Sequence, residues 1–160
     1  MGYISELRKI IGSRPIINVG ATILVVNDKG EILFQHRSDT FDWGLPGGSM
    51  ELRETLEEVA SRELKEETGL IANQFELLGV FSGPRYYFRY PNGDETYSVI
   101  NLYHSKGVSG KLDMLDGESL NLKYFGIENL PNNIEKRAKA LIDSLGDRLW
   151  ILPSSFGDHY

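Results

Sequence analysis

The segment from Thr55 to Gly69 constrains this chain more than any other, because its helical stripe ends in acid. Leu56, Val59, Ala60 and Leu64 recur at helical spacing and define a buried face. At about 100° per residue, Glu63 and Glu67 fall on the centre of that same face at its C-terminal end, and Glu66 falls at its margin. Residues three and four apart on a helix are neighbours, and like charges at that spacing repel. An unpaired carboxylate on an apolar face is costly to bury or shifts its pKa. A helix needed only for solubility has little reason to stack Glu63, Glu66 and Glu67 within one turn. A divalent cation resolves the conflict, because hard cations such as Mg²⁺ take oxygen ligands. The plainer alternative pairs Glu63 with an arginine and leaves Glu66 and Glu67 solvated.

Both ends of this helix are legible. Thr55-Leu56-Glu57-Glu58 reads as a capping box with Thr55 as N-cap, and Gly69 supplies the left-handed residue that stops the helix. Residues 16–26 and 31–36 are strand-like runs of Ile, Val and Leu, with the turn signal Asn27-Asp28-Lys29-Gly30 between them. A further strand is expected over 75–81. Residues 86–90 and 96–103 flank Pro91-Asn92-Gly93-Asp94, whose Asn-Gly marks a hairpin. Residues 120–125 alternate as a short strand. Residues 133–145 form an amphipathic helix closed by Gly146, and residues 3–11 form another. Strands in runs with helices interspersed predict an α/β fold with a mixed sheet covered on both faces.

With 160 residues the chain suits one domain, expected over 1–160, with 1–14 as a helical extension and 147–160 as a tail. Leu149, Trp150, Ile151, Leu152 and Phe156 make that tail too apolar to float, so it is expected to pack on the domain or on a second subunit. Together with the N-terminal helix it offers surface for a homodimer. The absence of cysteine excludes disulfides, thiolate metal sites and thiol nucleophiles. A formal charge of −6 argues against nucleic acid as a partner. It also means that an acidic site can hold a polyphosphate only with cations between the two. No signal peptide, myristoylation pattern or membrane-length apolar run is read, so no membrane partner is expected and the expected location is cytoplasmic.

Gly48, Glu54, Arg62, Glu63, Leu64, Glu66, Glu67, Gly69 and Leu70 stand at the spacing Gly, five residues, Glu, seven residues, Arg-Glu-aliphatic-x-Glu-Glu-x-Gly-aliphatic. This segment resembles the signature of the Nudix hydrolases at every specified position, and the lead-in Trp43-Gly44-Leu45-Pro46-Gly47-Gly48 is similar too. The resemblance implies an α/β/α sandwich with a mixed sheet. It also implies metal-dependent hydrolysis of the pyrophosphate bond in a nucleoside diphosphate linked to another group. Nucleotide sugars, ADP-ribose, dinucleoside polyphosphates and nucleoside triphosphates all fit that description. By the same resemblance, Glu63, Glu66, Glu67 and the Gly47 carbonyl would hold Mg²⁺ or Mn²⁺. Arg62 would orient the carboxylates with Glu54 or Glu58 as its partner. The general base would be a helix glutamate (Glu66 or Glu67) or the loop residue Glu118, whose alternative role is an ordinary exposed acid. A non-catalytic nucleotide-sensing domain of the same family is the competing reading; an intact signature speaks against it.

Substrate contacts are less determined. Arg37, ending a strand before the acidic loop, could reach a phosphate or belong to a surface basic pair with His36. Trp43, Phe81, Tyr86 and Tyr87 could stack on a base or pack in core and hairpin. Tyr86 and Tyr87 lie near where some diadenosine-polyphosphate hydrolases of the family carry a tyrosine, and Pro84 falls just short of a proline of many ADP-ribose hydrolases. Neither spacing selects a substrate. His104 and His159 are isolated.

Overall fold

The structure is a computed structural model that describes residues 2–114, 117 and 119–157. Its elements run α1 (Tyr3–Ile11), β1 (Ile16–Leu24), β2 (Ile32–Arg37), β3 (Trp43–Gly44), β4 (Gly47–Ser49), α2 (Leu56–Thr68), β5 (Gln74–Phe81), β6 (Tyr87–Arg89), β7 (Glu95–Lys106), β8 (Ser119–Phe125) and α3 (Lys136–Leu145). One sheet has the order β4-β1-β7-β5, with β6 also paired to β7; a second has the order β3-β2-β8. The β1–β7 pair is parallel from Ile16↔Thr96 to Leu24↔His104, and the other ladders are antiparallel, so the sheet is mixed as expected.

The apolar stretches at the end of the first run (Ile23 to Val26) and the start of β2 (Ile32 to Phe34) have a physical reason: there the chain is buried on both faces, whereas the first half of β1 leaves Ile17 75% exposed. Ile23, Val25 and Leu33 pack with Val59, Ala60 and Leu64 of α2. Their sequence neighbours Leu24, Val26, Ile32 and Phe34 point the other way, onto Ala138, Leu141 and Leu145 of α3. Two cores back to back, each closed by a helix, make the α/β/α sandwich. Burying side chains such as Val59 and Leu64 contributes roughly 1.5–3 kcal/mol each.

The helix ends follow the sequence. Thr55 Oγ1 accepts from Glu58 N–H at 3.2 Å while Glu58 Oε1 accepts from Thr55 N–H at 3.1 Å, and Gly69 sits at φ 78°. The Asn-Gly hairpin joins β6 to β7 with Tyr90 N–H donating to Asp94 O. The tail divides: Leu149 is buried and Leu152 and Phe156 pack against the two cores, whereas Trp150 and Ile151 are exposed. Helix α1 buries no residue, and Arg8 ties it down by donating to Glu95 O, Gly12 O and Arg14 O. Among the described residues no helix is long and apolar enough to cross a membrane.

Candidate active site

Strand β4 brings two glycines against β1, at Thr22↔Gly47 and Ala21↔Gly48. At Gly48 an added Cβ would overlap the Glu63 carboxyl, so a side chain there would displace this acid of α2. Glu67, 5% exposed, accepts the Gly47 N–H at 3.2 Å. Its carboxyl also meets Glu63 and the side chain of Gln35. Burial first, then the adjacent Glu63, pushes Glu67 well above the usual carboxylate range. Gln35 Oε1 is buried without a hydrogen-bond partner among the described residues. Glu67 and Glu63 point inward, as their place on the helical stripe predicts, and Glu66, at its margin, has a side chain 52% exposed.

Arg62 organises the acids around it. Its Nε and Nη2 donate to the two oxygens of Glu54 at 2.7 and 2.8 Å. Nη1 donates to Glu63 Oε1 at 2.7 Å, and Nη2 also reaches Ser49 O at 3.1 Å. Glu66 Oε2 lies 3.6 Å away. Of the two partners open to Arg62 from sequence, the structure selects Glu54, because Glu58 is committed to the helix cap. The arginine hydrogen bond holds Glu54 below the ordinary carboxylate range, and Glu54 Oε1 also accepts from Glu51 N–H at 2.8 Å. One guanidinium therefore fastens the 49–54 loop to α2.

Among the described residues no three acidic or histidine side chains converge on one point. The reason is visible in Arg62, which draws Glu63 and Glu66 toward itself. The donors nevertheless fit a hard divalent cation in kind: Glu63 and Glu67 offer carboxylate oxygens side by side, and among the described residues no basic side chain contacts Glu67. A cation between these carboxylates would remove the conflict that raises Glu67.

Glu63, Glu67, Gly47 and Gly48 line one side of a cavity of about 530 Å³, and Arg37, Asp39, Tyr90, Ser98, Glu135 and Arg137 line another. Arg37 thus reaches the cavity, though its Nε and Nη2 are held by Asp39 at 2.9 and 2.6 Å. That pairing keeps Asp39 below the ordinary carboxylate range. Phe81 and Tyr87 are not among the lining residues. Phe81 packs on Tyr86 beside the α3 core; Tyr87 donates to Glu95 Oε1 at 2.5 Å and packs on Tyr97. Trp43 stacks on His36 and meets Phe125 edge-on. Buried His104 presents Nε2 to Pro153 O at 2.9 Å. Glu118 and His159 lie outside the described residues.

Sequence reading missed Arg137 and Glu135. The signal was available: Arg137 precedes Leu141 and Leu145 at four-residue spacing, so it is a charge on the buried stripe of α3, as Glu63 is on that of α2.

A family model described as the NUDIX domain matches residues 17–145. The ADP-ribose pyrophosphatase of Methanocaldococcus jannaschii is 34% identical over 110 residues, which are 68% of this chain and 61% of that protein's length. A MutT-like protein of Streptomyces ambofaciens is 30% identical over 134 residues, 83% of this chain and 80% of that one. The crystal structure of a MutT NUDIX hydrolase from Burkholderia pseudomallei superposes with a TM-score of 0.65 at 26% identity, covering 80% of this chain and 97% of that one.

Proposed function

This chain belongs to the NUDIX family, and from that membership we propose that it is a metal-dependent pyrophosphohydrolase of small nucleotides. The observation that carries the reading is the buried Glu67 carboxyl, set against Glu63 behind the Gly47–Gly48 strand and open to the cavity. A relative named for ADP-ribose pyrophosphatase activity supports phosphoric anhydrides as the bond class.

In this reading Glu63 and Glu67, together with Glu66 and the Gly47 carbonyl, would hold Mg²⁺ or Mn²⁺. The ion would supply Lewis-acid neutralisation of the phosphate oxygens and a more acidic water. Arg62 fixes the orientation of Glu63 and, through Glu54, the loop that leads into the helix. Glu118, or a helix glutamate, accepts the proton of the attacking water. The remaining walls exclude bulk solvent and orient the nucleotide, which is most of what phosphoryl chemistry requires of a protein. Residues 1–160 act as one domain.

A panel of nucleotide sugars, ADP-ribose, dinucleoside polyphosphates and nucleoside triphosphates tests the assignment. Purified protein with Mg²⁺ should release a nucleoside monophosphate from at least one member, and EDTA should stop the reaction. Inertness across the panel with ligand binding retained would transfer the chain to the sensing class.

The homodimer belongs to the same proposal. Ile10, Trp150 and Ile151 are 83%, 56% and 78% exposed, on the two segments outside the family match. Sedimentation at high micromolar concentration should give twice the chain mass of 18.1 kDa, and a monomer there would remove the dimer.

A further inference from the structure

The part of the cavity lining that holds Arg37 and Arg137 sets two guanidiniums on one aromatic ring. Arg137 Cζ lies 4.1 Å and Arg37 Cζ 5.6 Å from the centre of Phe88. Each brings its own carboxylate: Arg137 Nε donates to Glu135 at 2.9 Å, and Arg37 is forked onto Asp39. These are built pairs, distinct from adaptable surface ones. Glu135 is 4% exposed and caps α3 by accepting from Ala138 N–H at 3.1 Å. The turn that returns Asp39 to Arg37 is closed by Phe41 N–H donating to Arg37 O, with Phe41 held at φ 57°. A non-glycine residue in that region is strained and persists where the surroundings fix it.

Two arginines with one aspartate and one glutamate sum to zero formal charge. A subsite for a second polyanion is built with uncompensated cations. This wall has none, yet it is densely polar. Nη1 of Arg37 and Nη2 of Arg137 have no acceptor among the described residues, and they lie beside carboxylate oxygens and Ser98 Oγ, which is 3.3 Å from Arg137 Nη1. Adjacent donors and acceptors suit hydroxyl groups, each of which both donates and accepts.

We propose that the Arg37–Asp39 and Arg137–Glu135 wall binds an uncharged, hydroxyl-rich sugar on the far side of the diphosphate from the nucleoside. The substrate class is then a sugar-linked nucleoside diphosphate, chosen over nucleoside triphosphates. This rests on the hydrolase reading of the Glu63–Glu67 end. The nucleoside's own ribose shares the same hydroxyl chemistry, and the test separates the two.

The comparison uses ADP-ribose, UDP-glucose, ATP and UTP with the full chain and with Arg137→Ala, measuring kcat/KM in Mg²⁺ and affinity by titration calorimetry. The wild type should favour at least one sugar-linked compound over both triphosphates by about 10-fold or more, the scale of a charge-assisted hydrogen bond. Arg137→Ala should erase that preference, lowering kcat/KM for the sugar-linked compound about 10-fold more than for ATP or UTP. Arg137→Lys keeps the cation beside Glu135 and Phe88 without the planar fork, and carries the same comparison should the alanine variant fail to fold. Parallel losses for all four compounds would place the nucleoside's own ribose or base on this wall and overturn the proposal, as would a wild type that prefers triphosphates. If nothing is cleaved the hydrolase reading fails, while the affinities still decide the subsite.

Discussion

Glu67→Gln is expected to cut turnover at least about 10²-fold, the scale for losing a principal catalytic group. Glutamine keeps the shape and can still accept the Gly47 N–H, so the change isolates the negative charge. Mg²⁺ affinity should fall with turnover. Glu118→Gln is the contrast: as the base it lowers turnover and leaves Mg²⁺ affinity nearly unchanged, and as a bystander it alters neither. Stability should move in the opposite direction from activity. Burial, with Glu63 next to it, raises the native pKa of Glu67 above its unfolded value. Below the ordinary carboxylate range both states carry the proton and this contribution to stability is fully present; above it only the native fold keeps the proton, and the contribution shrinks with each step in pH. That stability is lost as pH rises through the raised native value. In EDTA at neutral pH, Glu67→Gln escapes this loss and should melt at or above wild type. A Glu67→Gln protein with full activity would sink the assignment of the whole site.

Local signals carried much of the fold because they agree with one another. The capping box and Gly69 bound α2 where the apolar stripe placed it, and Asn-Gly set the β6–β7 hairpin. Strands in runs with helices interspersed predicted a sheet covered on both faces, and a helix-closed core lies on either side of it. Short strands carry no periodic signal: β3 and β4 have two and three residues, and they exist because β2 and β1 offer them partners. At the site, charges on buried stripes were the informative residues. Glu67 and Glu63 were read that way. Arg137 carries the same signal but hides in a helix whose other charges are ordinary solvated ones. Phe81 and Tyr87 were open to stacking on a base or to packing, and in the fold neighbouring aromatics engage both. Which aromatic faces a cavity depends on long-range packing that spacing does not encode.

Gly47→Ala is expected to cost about 2–3 kcal/mol, toward the upper end for an overpacked site. An added Cβ would overlap the carbonyl oxygen of Ala21 and stand 2.9 Å from Thr22 Cα, both backbone atoms of β1. A side chain could rotate away; a paired strand cannot. The registered β1–β4 contact must therefore open, and the Gly47 N–H that holds Glu67 moves with it. For a chain of this size the melting temperature should fall by roughly 5–10 °C. Turnover should fall as well, because displacing an orienting group by a fraction of an ångström degrades a positioned reaction. Gly126→Ala is the matched control. Gly126 has an ordinary extended conformation (φ −66°, ψ 149°), and its added Cβ would meet only Asn129 Nδ2, at 4.0 Å. That variant should melt within about 2 °C of wild type, since a surface change free of packing or backbone strain is worth within about ±0.5 kcal/mol. Should Gly47→Ala melt alongside the control, β4 does not approach β1 closely enough to require glycine, and the route by which the strand positions Glu67 falls with it.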